Sequence, residues 1–182
     1  FAGYGRRCVM QVLLVGCGRM GDALRRGWAQ DVQVQIIEPH PPADIVAFSS
    51  PADLPVDYRP DLVVFAVKPQ QMDAVLPAYA RFVQPGTTFL SIAAGKTLLR
   101  LNALLGEEAA IVRAMPNTPA AIGRGISVAV ANAHVTPEGR KQADRVLRAG
   151  GQIAWVEDET LMDAVTALSG SGPAYVFLLT EC

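Results

Sequence analysis

The chain has 182 residues, 51% hydrophobic and 18% charged, enough apolar material for one domain of ordinary size plus a short further piece, and wholesale disorder is excluded. Sixteen Lys and Arg against seventeen Asp and Glu leave a formal charge of -1, so no global basic field draws the chain to nucleic acid. Three scattered cysteines, Cys8, Cys17 and Cys182, form neither a disulfide framework nor a zinc pattern, which suits a reducing cytoplasm, and no metal site is expected.

The opening FAGYGRRCV has charge but no apolar run and makes a poor export signal. Residues 1–9 read as an extension, non-native or disordered, ahead of Met10. From there, short Val/Ile/Leu runs alternate with helical patterns. The runs are 12–15, 34–37, 62–67, 87–92 and 110–113. Continuous apolar runs indicate strands buried on both faces, as in a parallel sheet covered by helices. Helices are expected near 20–30, 70–82 and 97–105. The alternation predicts a doubly wound, mostly parallel α/β sheet. Only EPHPPAD separates the second run from the next possible strand, 45–48, too short for a crossover helix of at least about 10 residues. A Pro-rich loop is expected there instead.

Further on, Gly125–Ala131 reads as a strand. Thr136-Pro137-Glu138 starts a helix with a hydroxyl cap, a proline in the first turn and an acid near the positive end. That helix runs to about Ala149, and 152–156 is a further strand. After Glu157 the character changes: Leu161, Val165 and Leu168 keep helical spacing, SGSGP follows, and a second helix begins. The expected division is 10–157 for the α/β domain and 158–182 for the start of a helical one. The longest apolar runs, 62–67 and 175–179, fall far short of the roughly 20 residues a membrane-spanning helix needs. The sequence stops inside an apolar helical pattern, YVFLLTEC, and reads as a piece of a longer chain.

Gly16-Cys17-Gly18-Arg19-Met20-Gly21 is a G-x-G-x-x-G run between an apolar strand and a helix, the context that a dinucleotide-binding loop requires. Gly16 permits the tight turn, Gly18 clears the approach of a pyrophosphate, and Gly21 lets helix and strand pack closely. The helix N-terminus offers free N–H groups and positive character to phosphates. Glu38 ends the second strand twenty residues after Gly18, where a carboxylate accepts from a ribose 2′-OH and favours NAD. No Lys or Arg lies between Arg26 and Arg59, although Arg19 is placed to meet a 2′-phosphate. The choice between NADP and NAD stays open.

Three more strand-end loops follow. Ligands sit beyond the carboxyl ends of strands in such sheets, so Ala66-Val67-Lys68-Pro69-Gln70 would overlie a cofactor. Ala93, Ala94 and Gly95 let backbone approach a flat ring, or make a simple turn. Arg113-Ala114-Met115-Pro116-Asn117-Thr118-Pro119 is stiffened by two prolines, with Asn117 free to donate and accept. Ser169-Gly170-Ser171-Gly172-Pro173 stands at a helix–helix junction, as a capped hinge or as a pocket wall.

GCGRMG, AVKPQ, SIAAGK, RAMPNTPAAIGRG and VTALSGSGPAYVF occur in the order and approximate spacing seen in pyrroline-5-carboxylate reductases, and the chain resembles that family from Met10 to Cys182. The resemblance implies an N-terminal Rossmann domain, a C-terminal helical dimerisation domain within a homodimer or larger homo-oligomer, and reduction of 1-pyrroline-5-carboxylate to proline by NADPH or NADH. It places the cofactor on Gly16, Gly18, Arg19, Met20, Gly21, Glu38, Ala66, Val67, Lys68, Pro69, Ala93, Ala94, Gly95 and Asn117. It places Ser169, Gly170, Ser171, Gly172 and Pro173 near the substrate. The EPHPPAD segment departs from the family's helix beside the adenosine pocket, and the family's Gly-Thr-rich substrate segment has no counterpart here. Catalytic residues are therefore expected beyond Cys182, and this chain alone is expected to be inactive. His40 and His134 read as surface histidines. Two alternatives remain: another Rossmann-plus-helical dehydrogenase, such as a β-hydroxyacid dehydrogenase, and a non-catalytic dinucleotide-binding module. The absence of any Lys after Arg148 counts against the first.

Overall fold

Successive residues of a strand face opposite sides of a sheet, so a continuous apolar run demands cover on both. The computed structural model, which describes residues 9–28 and 30–181, supplies that cover. Its strands are β1 Met10–Val15, β2 Val32–Ile37, β3 Leu62–Phe65, β4 Thr88–Ser91, β5 Ala110–Pro116, β6 Gly125–Ala131 and β7 Gly151–Trp155. They form one sheet in the order β2-β1-β3-β4-β5-β6-β7. Neighbours run parallel except β5 and β6. The helices are α1 Arg19–Arg26, α2 Met72–Val75, α3 Leu98–Leu105, α4 Pro137–Leu147, α5 Leu161–Val165 and α6 Gly172–Glu181. Val12, Leu14, Leu62 and Val64 pack on one face against Leu24 of α1 and Ala143, Val146 and Leu147 of α4. Leu13, Val15, Val63 and Phe65 pack on the other, beneath Met72, Leu76, Tyr79 and Phe82 and beneath Leu101 and Leu105 of α3. The doubly wound reading holds.

The segment between β2 and β3 carries no α-helix, as EPHPPAD implied; its one helical turn is the tight 3-10 turn Pro51–Asp53. The possible strand at 45–48 shrinks to a single bridge: the Phe48 N–H donates to the Ile36 carbonyl at 2.8 Å, and the Glu38 N–H donates to the Phe48 carbonyl at 2.9 Å. The helix expected over 70–82 is mostly 3-10. Only Met72–Val75 is α-helical, between the tighter turns Pro69–Gln71 and Leu76–Phe82. Pro77 has no N–H with which to continue the α-ladder. The start of α4 follows the sequence reading, with Pro137 in the first turn and the Thr136 hydroxyl accepting from the Gly139 N–H at 3.1 Å.

One expectation is corrected. SGSGP does not break the chain between two helices. The backbone stays helical from α5 through Thr166–Ser171 into α6, and Thr166–Ser171 is wound in the wider π form. Pro173 lacks an N–H and its ring crowds the carbonyl four residues back, and a locally widened turn relieves that crowding. With the helix continuous, Ser171 and Gly172 begin no new helix to cap, and the Ser169 hydroxyl donates to the Val165 carbonyl at 2.9 Å. Among the described residues no helix is long and apolar enough to cross a membrane. Residues 1–8 of the expected extension, with Cys8 and Cys182, lie outside the described residues.

Candidate functional site

Parallel register sets Val15 beside Ile37 and beside Phe65, so the chain leaves β1, β2 and β3 at one edge of the sheet. Gly16, Glu38 and Ala66 come next in sequence, and a cavity of about 510 Å³ opens there. Gly16, Gly18, Glu38, Ala66, Val67 and Lys68 line it.

The three glycines have three different reasons to be glycine. Gly16 turns at φ +86°, and a Cβ on it would stand 2.8 Å from Val67 Cγ1 and 3.0 Å from the Ala66 carbonyl oxygen. A Cβ on Gly21 would lie 2.6 Å from the Gly16 carbonyl oxygen and 3.0 Å from Ala66 Cβ. Both glycines hold α1 tight against β1 and β3. Gly18 differs: its φ is -73°, and nothing in the protein lies within 4 Å of a Cβ built there. The space above it belongs to the cavity. No side chain caps α1 at Gly18, so its first-turn N–H groups have no side-chain acceptor. This is a cradle that a Cβ would obstruct, open above a helix N-terminus, and it fits a pyrophosphate.

Glu38 does more than end a strand. Its Oε2 accepts from the Cys17 N–H at 2.9 Å and its Oε1 from the His40 N–H at 3.2 Å. It pins the glycine loop to the end of β2 while each oxygen keeps a further lone pair for a ligand. Cys17 is buried, and burial pushes its thiol up from the ordinary range, so it fills space as a protonated, inert group.

Other residues named from the sequence fall outside this cavity. Arg19 and Met20 lie in the first turn of α1, with Met20 packed against the core. Pro69 opens the 3-10 turn after Lys68. Ala93, Ala94 and Gly95 follow β4 at the same sheet edge, and Gly95 turns at φ +71°. The Asn117 Oδ1 accepts from the Ile126 N–H at 2.9 Å, and the residue borders a separate open depression with Arg124 and Gln152. Gly170 packs on β5, where a Cβ would stand 2.7 Å from Met115 Cε. Ser169–Pro173 are not among the residues that line the glycine-loop cavity.

Sequence reasoning missed the cavity's far wall, formed by Gln71, Ala74, Val75, Ala78 and Tyr79. A signal was present: positions 71, 74, 75 and 78 repeat at one-face helical spacing just after Lys68-Pro69. It also began the loop at Arg113, the last residue of the 110–113 run, whereas β5 continues to Pro116. Arg113 lies inside β5 with its side chain 5% exposed, and its Nη1 donates to Glu159 Oε1 at 2.7 Å. The same oxygen accepts from the Leu98 N–H, in the first turn of α3, at 2.8 Å.

A second ion cluster ties two strand-end loops together. Asp73, just after the Lys68 loop, accepts from Arg100 Nη2 at 2.9 Å and from Lys96 Nζ at 2.8 Å. These hydrogen bonds, Arg100's first, lower its carboxyl to about 2 from the ordinary 3.8. The folded value lies below the unfolded one. The tie is therefore complete above about pH 4 and is lost as pH falls through about 2. The Asp73 carboxyl carbon resonance in an NMR titration is expected to turn over near pH 2, and a midpoint near 3.8 would contradict the cluster.

Comparison with known proteins bears on this arrangement. The family model described as pyrroline-5-carboxylate reductase dimerisation matches residues 159–182. The pyrroline-5-carboxylate reductase of Pseudomonas aeruginosa is 49% identical over 121 residues. That of Haemophilus influenzae is 37% identical across 93% of this chain. The chain belongs to the pyrroline-5-carboxylate reductase family. It spans 44% of the matched Pseudomonas protein and 66% of the Haemophilus one. Among solved structures, the Plasmodium falciparum pyrroline carboxylate reductase with NADP bound superposes with a TM-score of 0.83 at 30% identity, covering 94% of this chain and 66% of that one.

Proposed function

We propose that this chain supplies the dinucleotide-binding part, and the start of the dimerisation part, of an enzyme that reduces 1-pyrroline-5-carboxylate to L-proline with NADPH or NADH. The observation that carries the reading is the open cradle above Gly18, walled by Ala66, Val67 and Lys68, in a chain of this family. A bound nicotinamide dinucleotide supplies the hydride. The chain's own residues bind and orient. Gly16 and Gly18 shape the turn, Arg19, Met20 and Gly21 present first-turn N–H groups of α1 to phosphate, and Glu38 fixes the loop and faces the adenosine ribose. Ala66, Val67, Lys68, Pro69, Ala93, Ala94, Gly95 and Asn117 guide the dinucleotide along the carboxyl edge of the sheet. Ser169–Pro173, anchored where Gly170 meets Met115, form a wall on the substrate side. An imine accepts hydride more readily when its nitrogen is protonated, and His40 and His134, both exposed, are not assigned as the donor.

The reading divides the chain at 157–160, just before α5, and puts the protein in the cytoplasm. It also makes the protein a homo-oligomer. Tyr175, Val176, Phe177, Leu178 and Leu179 of α6 are 57–82% exposed, an apolar surface suited to a second copy. The test is pyrroline-5-carboxylate-dependent oxidation of NADH and NADPH by this chain joined to the remaining length of the Haemophilus relative. Proline formation is expected. A folded protein that binds dinucleotide but makes no proline would overturn the substrate assignment.

A further inference from the structure

The adenosine end of the cavity is acidic. Glu38 sits at the carboxyl end of β2 and is held from three sides: its own N–H donates to the Phe48 carbonyl, and its carboxylate takes the N–H groups of Cys17 and His40. It cannot swing aside without releasing the glycine loop. Beside it, Ser50 and Pro51 line the same cavity, and Asp53 accepts from the Ser50 N–H at 2.9 Å, adding a second carboxylate nearby. The guanidinium of Arg81 donates to the Pro51 carbonyl at 2.6 Å, and neither Arg81 nor Arg19 is among the residues that line the cavity. Lys68, at the end of β3, is the one Lys or Arg among the residues that line the cavity. Arg25 and Arg26 of α1 are both engaged by Asp22. The sequence from 27 to 58 contains no Lys or Arg.

We infer that Glu38 makes this chain select NADH over NADPH. The inference rests on the dinucleotide reading above and adds the choice between the two forms. A strand-end carboxylate at this spacing accepts from the 2′-hydroxyl of an adenosine ribose. A 2′-phosphate brings about two negative charges to the same place and meets a fixed carboxylate, with no guanidinium among the cavity-lining residues to pair it.

The test is fluorescence titration of the 182-residue chain with NADH and with NADPH, repeated on Glu38→Gln. Glutamine keeps an acceptor for the Cys17 N–H and removes the charge. The wild-type chain is expected to bind NADH about tenfold or more tightly than NADPH, and Glu38→Gln is expected to shrink that ratio about fivefold or more. Equal or tighter NADPH binding by the wild type overturns the inference and leaves the dinucleotide reading intact. A preference for NADH that Glu38→Gln leaves unchanged also overturns Glu38 as its source. Binding of neither nucleotide by the folded wild type overturns the dinucleotide reading itself.

Discussion

Glu159→Ala is expected to destabilise the fold by about 3 kcal/mol. The Arg113 side chain is 5% exposed, and Glu159 is its close partner at 2.7 Å. Removing the acid strands a guanidinium charge in the protein interior. Asp163 stands 4.0 Å away and is 94% exposed, too distant and too hydrated to take over. The Leu98 N–H in the first turn of α3 loses its acceptor as well. Arg113→Met makes the informative contrast. It deletes the buried charge and leaves Glu159, 27% exposed, hydrated and still bonded to Leu98, so its cost is expected near 1 kcal/mol. Urea unfolding of the two variants decides the matter. Equal losses would mean that burial of the charge is not what makes the pair necessary.

Gly18 and Gly21 are expected to separate binding from folding. Gly21→Ala forces a Cβ to 2.6 Å from a backbone oxygen that cannot move without opening the turn at Gly16, and a loss of about 2–3 kcal/mol is expected. Gly18→Ala meets nothing within 4 Å and sits at an ordinary φ of -73°, so its stability is expected to stay within about 1 kcal/mol of wild type. The added methyl group instead occupies the cradle, and NADH affinity is expected to fall about tenfold or more. Paired urea and NADH titrations test both. A Gly18→Ala chain that binds NADH normally would remove the cradle from the site.

Much of this was legible because the strands are buried on both faces. Runs such as Leu62–Phe65 have no polar face to confuse the reading, and the glycine loop declares itself between a strand and a helix. The short connection after β2 followed from counting residues. What the sequence hid depends on long-range pairing. Arg113 looks like a loop cation until Glu159, forty-six residues later, is brought against it. Glu38 reads as a ligand acceptor, and its second task of pinning the Cys17 N–H appears only once β1 and β2 lie side by side. SGSGP looks like a break because glycine, serine and proline usually make one, but packing of Gly170 on Met115 accompanies a helix that widens instead.

The measurement closest to the central claim is amide shift mapping of the nitrogen-15-labelled chain during addition of NADH. A dinucleotide seated on the glycine loop is expected to cause large changes at Gly16–Gly21, at Glu38 and His40, and at Ala66–Lys68. Changes centred on the depression around Arg124 and Gln152, with the glycine loop unmoved, would contradict it.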